Sequence, residues 1–252
     1  MIKKTIKLFF KNFGYDIKKI NENIDIVEKN EYEKSLMNKV KKFTLTNDER
    51  IWLLIQAFKI INKNQIQGDI VECGVWKGGN LILLGELCQK FKIDKKIFGY
   101  DTFEGMTEPT KHDVNFYNKS AKKNMDKYKN NKNDENSFWV ANNLENTKNN
   151  ILKNTIYKNF KLIKGDVLKT LNVKENLPSR ISLLRLDTDF YESTKKELEI
   201  LYPLLGKGGI LIIDDYGQWK GCRKAVDEFF IDKNVNFFMC DFSCRFMIKD
   251  ED

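Results

Sequence analysis

Short apolar runs alternate with longer amphipathic stretches through most of the chain. The short runs are rich in Ile, Val, Leu and Phe, which predicts buried β-strands. The longer stretches place apolar residues three and four positions apart, which predicts helices that cover the strands. Strands are predicted over 69–73, 96–100, 160–163, 181–186, 209–213, 235–239 and 245–249. This order predicts an α/β fold with a mostly parallel sheet and helices on both faces, and the last two strands suit an antiparallel pair at one edge.

The clearest predicted helix begins after Asn47, whose side chain suits the N-cap position. Asp48 and Glu49 fall in the first turn, where acidic residues are favoured. An apolar stripe from Ile51 to Ile61 predicts that the helix continues to Lys63. Further helices are predicted over 81–91, 192–201 and 220–230. Each of these three follows a predicted strand, as the helix of a βαβ unit does.

Two stretches lie outside this alternation. Residues 1–45 are highly charged and predict a helical N-terminal extension, whose apolar face suits packing on this fold or on a second copy better than a membrane surface. That face comprises Ile2, Ile6, Phe9 and Phe13. Residues 107–150 are polar and rich in Asn and Lys, which predicts an insertion or lid with some helix over 138–154. The predicted main domain, 46–252, carries this insertion.

The net charge of the chain is +8, from 44 Lys and Arg against 36 Asp and Glu. That balance alone would suit an anionic partner such as nucleic acid. However, 39 of the 44 basic residues are Lys, whereas Arg is expected to lead at a phosphate-recognition surface. The composition therefore disfavours a nucleic-acid-binding protein. Seven lysines lie within 111–132, where they could attract an acidic or nucleotide-linked acceptor.

The rare residue types exclude several classes of site. A single histidine, His112, argues against a Ser-His-Asp or Cys-His catalytic centre. The five cysteines are odd in number and scattered, which fits a reduced, cytoplasmic protein better than a disulfide framework. Cys240 and Cys244 have no second Cys or His pair with which to form a zinc site. We expect no transmembrane segment, because no apolar run approaches the roughly 20 residues of a membrane-spanning helix.

Five consecutive predicted strands end in or next to an acidic residue, at the edge of the sheet where open α/β proteins bind their ligands. These residues are Glu72, Asp101, Asp166, Asp187 with Asp189, and Asp214 with Asp215. Crowded carboxylates repel one another unless cations or hydrogen-bond donors compensate. Some acids at strand ends serve only as helix caps, but five in succession predict a binding site at this edge.

A Gly-rich turn follows the first predicted strand and contains Gly74, Gly78 and Gly79. It lacks the first glycine of the dinucleotide motif G-x-G-x-x-G, which disfavours a nicotinamide dehydrogenase, and the chain has no nucleoside triphosphate motif G-x-x-x-x-G-K-[ST]. Asp101 comes 29 positions after Glu72, at the end of the second strand. A carboxylate there accepts hydrogen bonds from ribose hydroxyls, so the pattern predicts a cofactor with an adenosine-like ribose.

Three of the strand-end acids, Asp187, Asp214 and Asp215, follow strands that are expected to be neighbours. Carboxylate oxygens with no nearby thiolate or imidazole suit Mg²⁺, Ca²⁺ or Mn²⁺. A divalent cation is therefore one interpretation of this cluster, and helix capping is the other. Arg185, inside an apolar strand, is expected to pair with a buried carboxylate.

Four blocks of sequence resemble the macrocin O-methyltransferase family. They are VECGVWKGG at 71–79, DTFEG at 101–105, LRLDTDFYEST at 184–194, and the stretch at 208–227 that contains DDY. The resemblance implies a Rossmann-like class I methyltransferase fold with a seven-stranded sheet. It also implies an enzyme that methylates sugar hydroxyls with S-adenosylmethionine and a divalent cation, as a homodimer or larger assembly.

The resemblance implies roles for the matching residues. Those implied to hold the amino-acid end of S-adenosylmethionine are Glu72, Gly74, Gly78 and Gly79, to which Trp76 is added because it lies in the same turn. Those implied to bind the adenosine are Asp101 at the ribose hydroxyls, Phe103 nearby, and Asp166 at the adenine. The implied Mg²⁺ ligands are Asp187, Asp214 and Asp215, of which Asp187 is also the implied general base.

These roles predict metal-assisted methylation of a sugar hydroxyl. Such a hydroxyl is a poor nucleophile at neutral pH, and a divalent cation bound to it favours its alkoxide, while a nearby carboxylate takes the proton. Two adjacent hydroxyls could chelate the ion together, so we expect a vicinal diol in the acceptor. A catechol-like or other small hydroxylated acceptor is the alternative, because the same cluster would serve it.

Overall fold

The computed structural model describes residues 13–14, 26–128 and 139–251. Contacts between residues divide the chain into two compact units, Met1–Asn30 and Glu31–Asp252. The predicted apolar face of the extension lies outside the described residues, except for Phe13. The contact-based division falls after Asn30, whereas the sequence places the end of the extension at residue 45.

Seven strands form one sheet in the order β3-β2-β1-β4-β5-β7-β6. They are β1 (Asp69–Cys73), β2 (Ile97–Asp101), β3 (Phe160–Lys164), β4 (Ile181–Leu186), β5 (Leu205–Ile213), β6 (Phe238–Met239) and β7 (Arg245–Ile248). The first five strands are parallel, and β7 runs antiparallel to both β5 and β6. This arrangement confirms the predicted seven-stranded, mostly parallel sheet and its antiparallel edge.

Two strands differ from their predicted bounds by more than one residue. β5 begins at Leu205 instead of residue 209, because Leu205 pairs with Ile181 while Ile210 pairs with Leu183. The residues between these two pairs bulge out of the ladder, and Gly208, with a φ of +78°, permits that bulge. β6 keeps only two residues, and so short an edge strand limits edge-to-edge association.

The helices cover both faces of the sheet. They are α1 (Glu31–Val40), α2 (Asp48–Lys63), α3 (Gly79–Phe91), α4 (Ala121–Lys127), α5 (Leu144–Asn154), α6 (Val167–Thr170), α7 (Tyr191–Leu201) and α8 (Lys220–Phe230). Asn47 is the N-cap of α2, as predicted, and its side chain accepts a hydrogen bond from the Arg50 backbone N–H at 3.0 Å. In the ranges 26–128 and 139–251, no helix has the length and apolar character needed to cross a membrane.

Alternate residues of the central strands point into two separate cores, as the two-residue period of a strand requires. Val71 and Leu184 face the core formed with α7 and α8. Ile70 and Leu183 face the core formed with α1, α2 and α3. Because α1 contributes buried apolar residues to the second core, the last helix of the predicted extension is part of the main fold.

The insertion returns to the edge of the sheet where β1 ends. The described residues of the insertion, which exclude 129–138, contain α4 and the first part of α5. The predicted helix over 138–154 begins only at Leu144, because the side chain of Asn143 caps the helix there by accepting from the Asn146 N–H. Before that cap, the Met106 N–H donates to the Trp139 carbonyl at 2.9 Å, which ties the two ends of the insertion together.

Candidate active site

A cavity of about 310 Å³ opens at the carboxyl ends of β1, β2, β4 and β5. Six of the residues selected from the sequence line it: Gly74, Trp76, Asp101, Asp187, Asp214 and Asp215. The other five selected residues are not among the lining: Glu72, Gly78, Gly79, Phe103 and Asp166. The site therefore lies at the predicted edge of the sheet, and the selected residues divide into a lining group and a supporting group.

Gly74 allows the first turn to lie directly against the end of β4. Its φ is +86°, and a Cβ at this position would lie 1.9 Å from the carbonyl oxygen of Asp187. Any other residue would force the two loops apart. The close approach brings the cofactor turn and the acidic cluster to the same cavity.

Trp76 has a φ of +48°, a left-handed conformation that is uncommon for a large side chain. The Asn142 side-chain amide and the Thr147 hydroxyl both donate hydrogen bonds to the Trp76 carbonyl, at 2.8 and 2.7 Å. These two donors belong to the insertion and to helix α5 that ends it. The insertion therefore holds the turn in its strained conformation, as surrounding structure must where a site stores strain.

Gly78 and Gly79 serve packing behind the turn. A Cβ on Gly79 would lie 2.8 Å from the backbone of Phe43, and a Cβ on Gly78 would lie 3.2 Å from the side chain of Ile151. The two glycines let the chain before α2 and the helix α5 approach the start of α3. Their implied contact with the cofactor remains a prediction.

Asp101 ties the end of β2 to the Gly-rich turn. Its Oδ2 accepts from the N–H groups of Val75 and Trp76 at 2.7 and 2.9 Å, and its Oδ1 accepts from the Phe103 N–H at 2.6 Å. Burial raises the pKa of Asp101, and these three donors oppose that rise. A carboxylate has about four acceptor sites. The fourth faces the Thr102 hydroxyl at 3.4 Å, but that hydroxyl makes a shorter bond of 2.6 Å to the Gly105 carbonyl, so a ribose hydroxyl can take this site. The Phe103 side chain is buried in the core below the cavity.

Glu72 points away from the cavity into the core. Its Oε1 accepts from Arg185 Nη1 and from the Asn80 amide, each at 2.8 Å. Burial raises the pKa of Glu72 to about 7, and Arg185 opposes that rise. Glu72 is the buried partner expected for Arg185, and it supports the site from below.

Asp166 is the N-cap of the short helix α6. Its Oδ1 accepts from the Leu168 N–H at 2.9 Å. The flanking residues Gly165 and Val167 line the cavity, but Asp166 does not. This geometry is the helix-cap interpretation noted for strand-end acids, and the implied contact with adenine remains a prediction.

The three acids singled out as metal ligands converge. One carboxylate oxygen from each of Asp187, Asp214 and Asp215 lies within 4.8 Å of the other two. Burial and the neighbouring carboxylates raise the pKa of Asp187 to about 8 and the pKa of Asp215 well above its usual value. Such a cluster of hard oxygen atoms is a donor set that suits Mg²⁺, Mn²⁺ or Ca²⁺.

Two arginines neutralise part of this cluster. Arg185 donates to Asp187 Oδ2 at 2.8 Å and to Asp214 Oδ1 at 2.6 Å. Arg50 donates to Asp214 Oδ2 at 2.5 Å and to Asp241 Oδ2 at 2.7 Å. The same two guanidinium groups also bind Glu72 and Asp241. Five ionised carboxylates against two positive charges leave a net charge of −3, so the residues present fit a bound divalent cation.

Asp189 closes the cluster on the side of α8. Its Oδ1 accepts from the indole N–H of Trp219 at 2.6 Å, and its own N–H donates to Asp215 Oδ2 at 3.2 Å. Its φ is +64°, so the loop after β4 is also held in a left-handed conformation. In the middle of α7, the buried Glu197 accepts from the Thr188 hydroxyl beneath this loop.

Sequence reasoning missed Arg50 and Asp241. They lie in the first turn of α2 and in the turn between β6 and β7, and both are distant along the chain from the acidic cluster. One signal was available for Arg50. Only five of the 44 basic residues are Arg, and two of the five, Arg50 and Arg185, bind the same carboxylate.

Comparison with known proteins decides the family. A family model described as macrocin O-methyltransferase (TylF) matches residues 3–247. The chain belongs to the macrocin O-methyltransferase family. The resemblance stated from the sequence is therefore confirmed, and the chain is an S-adenosylmethionine-dependent O-methyltransferase.

Two relatives of known name match about three quarters of this chain. The demethyldecarbamoylnovobiocin O-methyltransferase of Streptomyces niveus is 29% identical over 192 residues, which cover 74% of this chain and 67% of the relative. The 8-demethyl-8-(2,3-dimethoxy-α-L-rhamnosyl)-tetracenomycin-C 4'-O-methyltransferase of Streptomyces olivaceus is 30% identical over 193 residues, with the same coverage of 74% and 67%.

Solved methyltransferase structures share the fold of this family member. The O-methyltransferase NovP has a TM-score of 0.69 at 23% identity, covering 83% of each chain. The calicheamicin methyltransferase CalS11 has a TM-score of 0.57 at 18% identity, covering 93% of this chain and 99% of its own. At these identities the likeness establishes the fold, and the site must be argued from the residues above.

Proposed function

We propose that this O-methyltransferase methylates a sugar hydroxyl with the help of a divalent cation bound by Asp187, Asp214 and Asp215. The observation that carries the proposal is the convergence of these carboxylates within 4.8 Å, beside the cavity that the Gly-rich turn also lines. Both halves of the reaction, methyl donor and activated hydroxyl, would then meet in one cavity. Holding two reactants in one site supplies much of the rate of a group transfer.

The cofactor end of the cavity combines apolar and acidic groups. Val75, Met106 and Val140 supply apolar surface, and the Asp101 carboxylate keeps one acceptor site for a ribose hydroxyl. This combination suits an adenosine, whose base is largely apolar and whose ribose donates hydrogen bonds. The left-handed turn at Trp76, held by the insertion, would fix the amino-acid end of the cofactor.

The acceptor end of the cavity combines the acidic cluster with its two arginines. A divalent cation held there would lower the pKa of a hydroxyl beside it. Asp187 is half-buried and lines the cavity, so its carboxylate can take the proton from that hydroxyl. Arg185 holds Asp187 through Oδ2, so Oδ1 would serve both the cation and this proton.

The relatives support a sugar as the acceptor class. The Streptomyces olivaceus relative is named for the 4' position of a 2,3-dimethoxy-rhamnosyl group. In that acceptor the neighbouring oxygen is a methoxy ether, so a free vicinal diol is not needed by that relative. For this chain we propose a sugar hydroxyl beside any second oxygen that can share the cation, which is broader than the vicinal diol expected from the sequence.

Isothermal titration calorimetry tests the two binding functions separately. S-adenosylhomocysteine is titrated into the full chain first, and Mg²⁺ is then titrated into the complex. Asp214→Asn and Asp215→Asn should each bind Mg²⁺ at least about tenfold more weakly, because each loses a charged ligand, and should still bind S-adenosylhomocysteine. Asp166→Asn is the matched control and should bind Mg²⁺ as the parent chain does, because this strand-end acid lies outside the cluster. Unchanged Mg²⁺ affinity in both cluster variants would refute the metal site.

A further inference from the structure

The hairpin of β6 and β7 places two cysteines opposite each other. Phe238 pairs with Phe246 and Met239 pairs with Arg245, so the next residues in register are Cys240 and Cys244. The register continues to this pair, because the Cys240 N–H donates to the Cys244 carbonyl at 3.1 Å. Both side chains also face the same core, the one formed with α1, α2 and α3.

Opposed residues of an antiparallel pair have the spacing that a disulfide needs. Their side chains lie on the same face of the sheet, and their Cα atoms are about 4.5–5.5 Å apart. A disulfide accommodates Cα separations of about 4.4–6.8 Å. Closing a bond between Cys240 and Cys244 therefore requires rotation of the side chains and a small approach of the two strand ends.

The two thiols differ in exposure and reactivity. Cys240 is half-buried, whereas Cys73, Cys88, Cys222 and Cys244 are buried. A hydrogen bond from the Cys244 thiol, helped by the positive charge of Arg50, lowers the pKa of Cys240. The thiolate is the form that attacks disulfides, so Cys240 is the thiol of the pair that an external oxidant reaches first.

We propose that Cys240 and Cys244 form a reversible redox pair that reacts with low-molecular-weight disulfides such as oxidised glutathione. The Cys240 thiolate attacks one sulfur of oxidised glutathione, forming a mixed disulfide and releasing one glutathione thiolate. The Cys244 thiol then loses its proton and attacks the Cys240 sulfur, which forms the Cys240–Cys244 bond and releases the second glutathione. Two protein thiols are oxidised, and one glutathione disulfide is reduced to two thiols.

The redox pair is linked to the active-site cavity through the turn that it brackets. Asp241 Oδ1 accepts from the N–H groups of Ser243 and Cys244, and its Oδ2 accepts from Arg50 Nε. Arg50 lines the cavity and donates to Asp214. A Cys240–Cys244 disulfide would constrain the turn that carries Asp241, and Asp241 orients Arg50. The inference rests on the hairpin and not on the proposed function.

Peptide mapping of the full chain tests the pair. The reduced protein is treated with oxidised glutathione, its remaining thiols are alkylated, and its peptides are weighed. We expect a Cys240–Cys244 disulfide that dithiothreitol reverses, formed at least about tenfold faster than modification of the buried Cys73, Cys88 and Cys222. A lasting mixed disulfide at Cys240, or a bond between two chains, would overturn the proposal.

Two serine variants separate the steps. Cys244→Ser should trap glutathione on Cys240, because the attacking thiol of the second step is gone. Cys240→Ser should form no disulfide and take up no glutathione at Cys244, whereas the control Cys88→Ser should behave as the parent chain does. Trapping in the parent chain to the same extent as in Cys244→Ser would contradict the second step.

Hydrogen–deuterium exchange tests the link to the cavity. Oxidation of the pair should change amide exchange in peptides that cover residues 44–54, where Arg50 and its helix start lie. Peptides that cover β3, on the far side of the sheet, should be unaffected. Equal exchange at 44–54 in the reduced and oxidised protein would refute the link to Arg50.

Discussion

Glu197 is a buried carboxyl group whose ionisation destabilises the folded chain. Glu197→Gln should remove this pH-dependent loss of stability. Its side chain is fully buried in α7 and accepts hydrogen bonds from the Thr188 hydroxyl at 3.0 and 3.1 Å. Within the part of the chain that the structure describes, no Lys or Arg side chain forms a salt bridge with it. Burial raises the pKa of Glu197 from 4.5 to about 8.

The raised pKa sets the direction and the pH range of the effect. Between pH 4.5 and pH 8, the unfolded chain has lost the Glu197 proton while the folded chain keeps it. Folding therefore takes up a proton, and the free energy of unfolding falls as the pH rises through this range. The free energy of unfolding falls by about 1.4 kcal/mol per pH unit, and by about half of that near pH 8. Between pH 6 and pH 8 it therefore falls by about 2 kcal/mol.

Glutamine keeps the size of the side chain and an oxygen for the Thr188 hydroxyl, and it does not ionise. Glu197→Gln should therefore gain about 2 kcal/mol relative to the parent chain between pH 6 and pH 8. Urea denaturation, followed by circular dichroism in the presence of a chelator, measures both proteins at several pH values. The exposed Glu199 on the same helix provides the control, because Glu199→Gln should leave the pH dependence unchanged. Parallel pH curves for Glu197→Gln and the parent would refute the reasoning.

Three further changes test the supports of the site. Gly74→Ala places a methyl group against the Asp187 carbonyl, so calorimetry should show S-adenosylhomocysteine binding weakened by about tenfold or more; unchanged affinity would mean that the turn can move freely. Arg185→Met removes the guanidinium that neutralises the buried Glu72 and Asp214 carboxylates. Urea denaturation should show that the free energy of unfolding falls by about 3–5 kcal/mol, whereas a fall of under about 1 kcal/mol would contradict a buried ion network. Thr147→Val removes the hydroxyl that donates to the Trp76 carbonyl. The free energy of unfolding, measured by urea denaturation, should fall by about 1–2 kcal/mol; an unchanged value would show that the hydrogen bond from Asn142 is sufficient.

The fold could be predicted because its signals are local. Apolar runs that end at acidic residues define β1 to β5, and strands joined by helices require a parallel order. The inward direction of Glu72 also follows a local rule, since alternate residues of a strand share a face and Ile70 faces the core with α1, α2 and α3. Applying that rule would have placed Glu72 below the cavity.

The supports of the site could not be predicted because they are tertiary. Arg50 and Asp241 are 191 positions apart, and no sequence period links a helix start to a hairpin turn. The hydrogen bond from the Thr147 hydroxyl to the Trp76 carbonyl likewise depends on how the insertion folds back onto the Gly-rich turn. A polar, Asn-rich stretch of sequence does not predict that path. Strand-end acids are also ambiguous by residue type alone, since Asp166 caps a helix and Asp215 joins a carboxylate cluster.

Methyl transfer in the presence and absence of a chelator tests the central claim most directly. The full chain is incubated with methyl-labelled S-adenosylmethionine and, in parallel, TDP-rhamnose, a p-nitrophenyl rhamnoside or catechol, and the products are weighed. We predict a methyl group on a sugar hydroxyl, loss of transfer in EDTA, and recovery when Mg²⁺ is added back. Transfer that proceeds equally fast in EDTA, or that occurs on catechol and on neither sugar, would contradict the account.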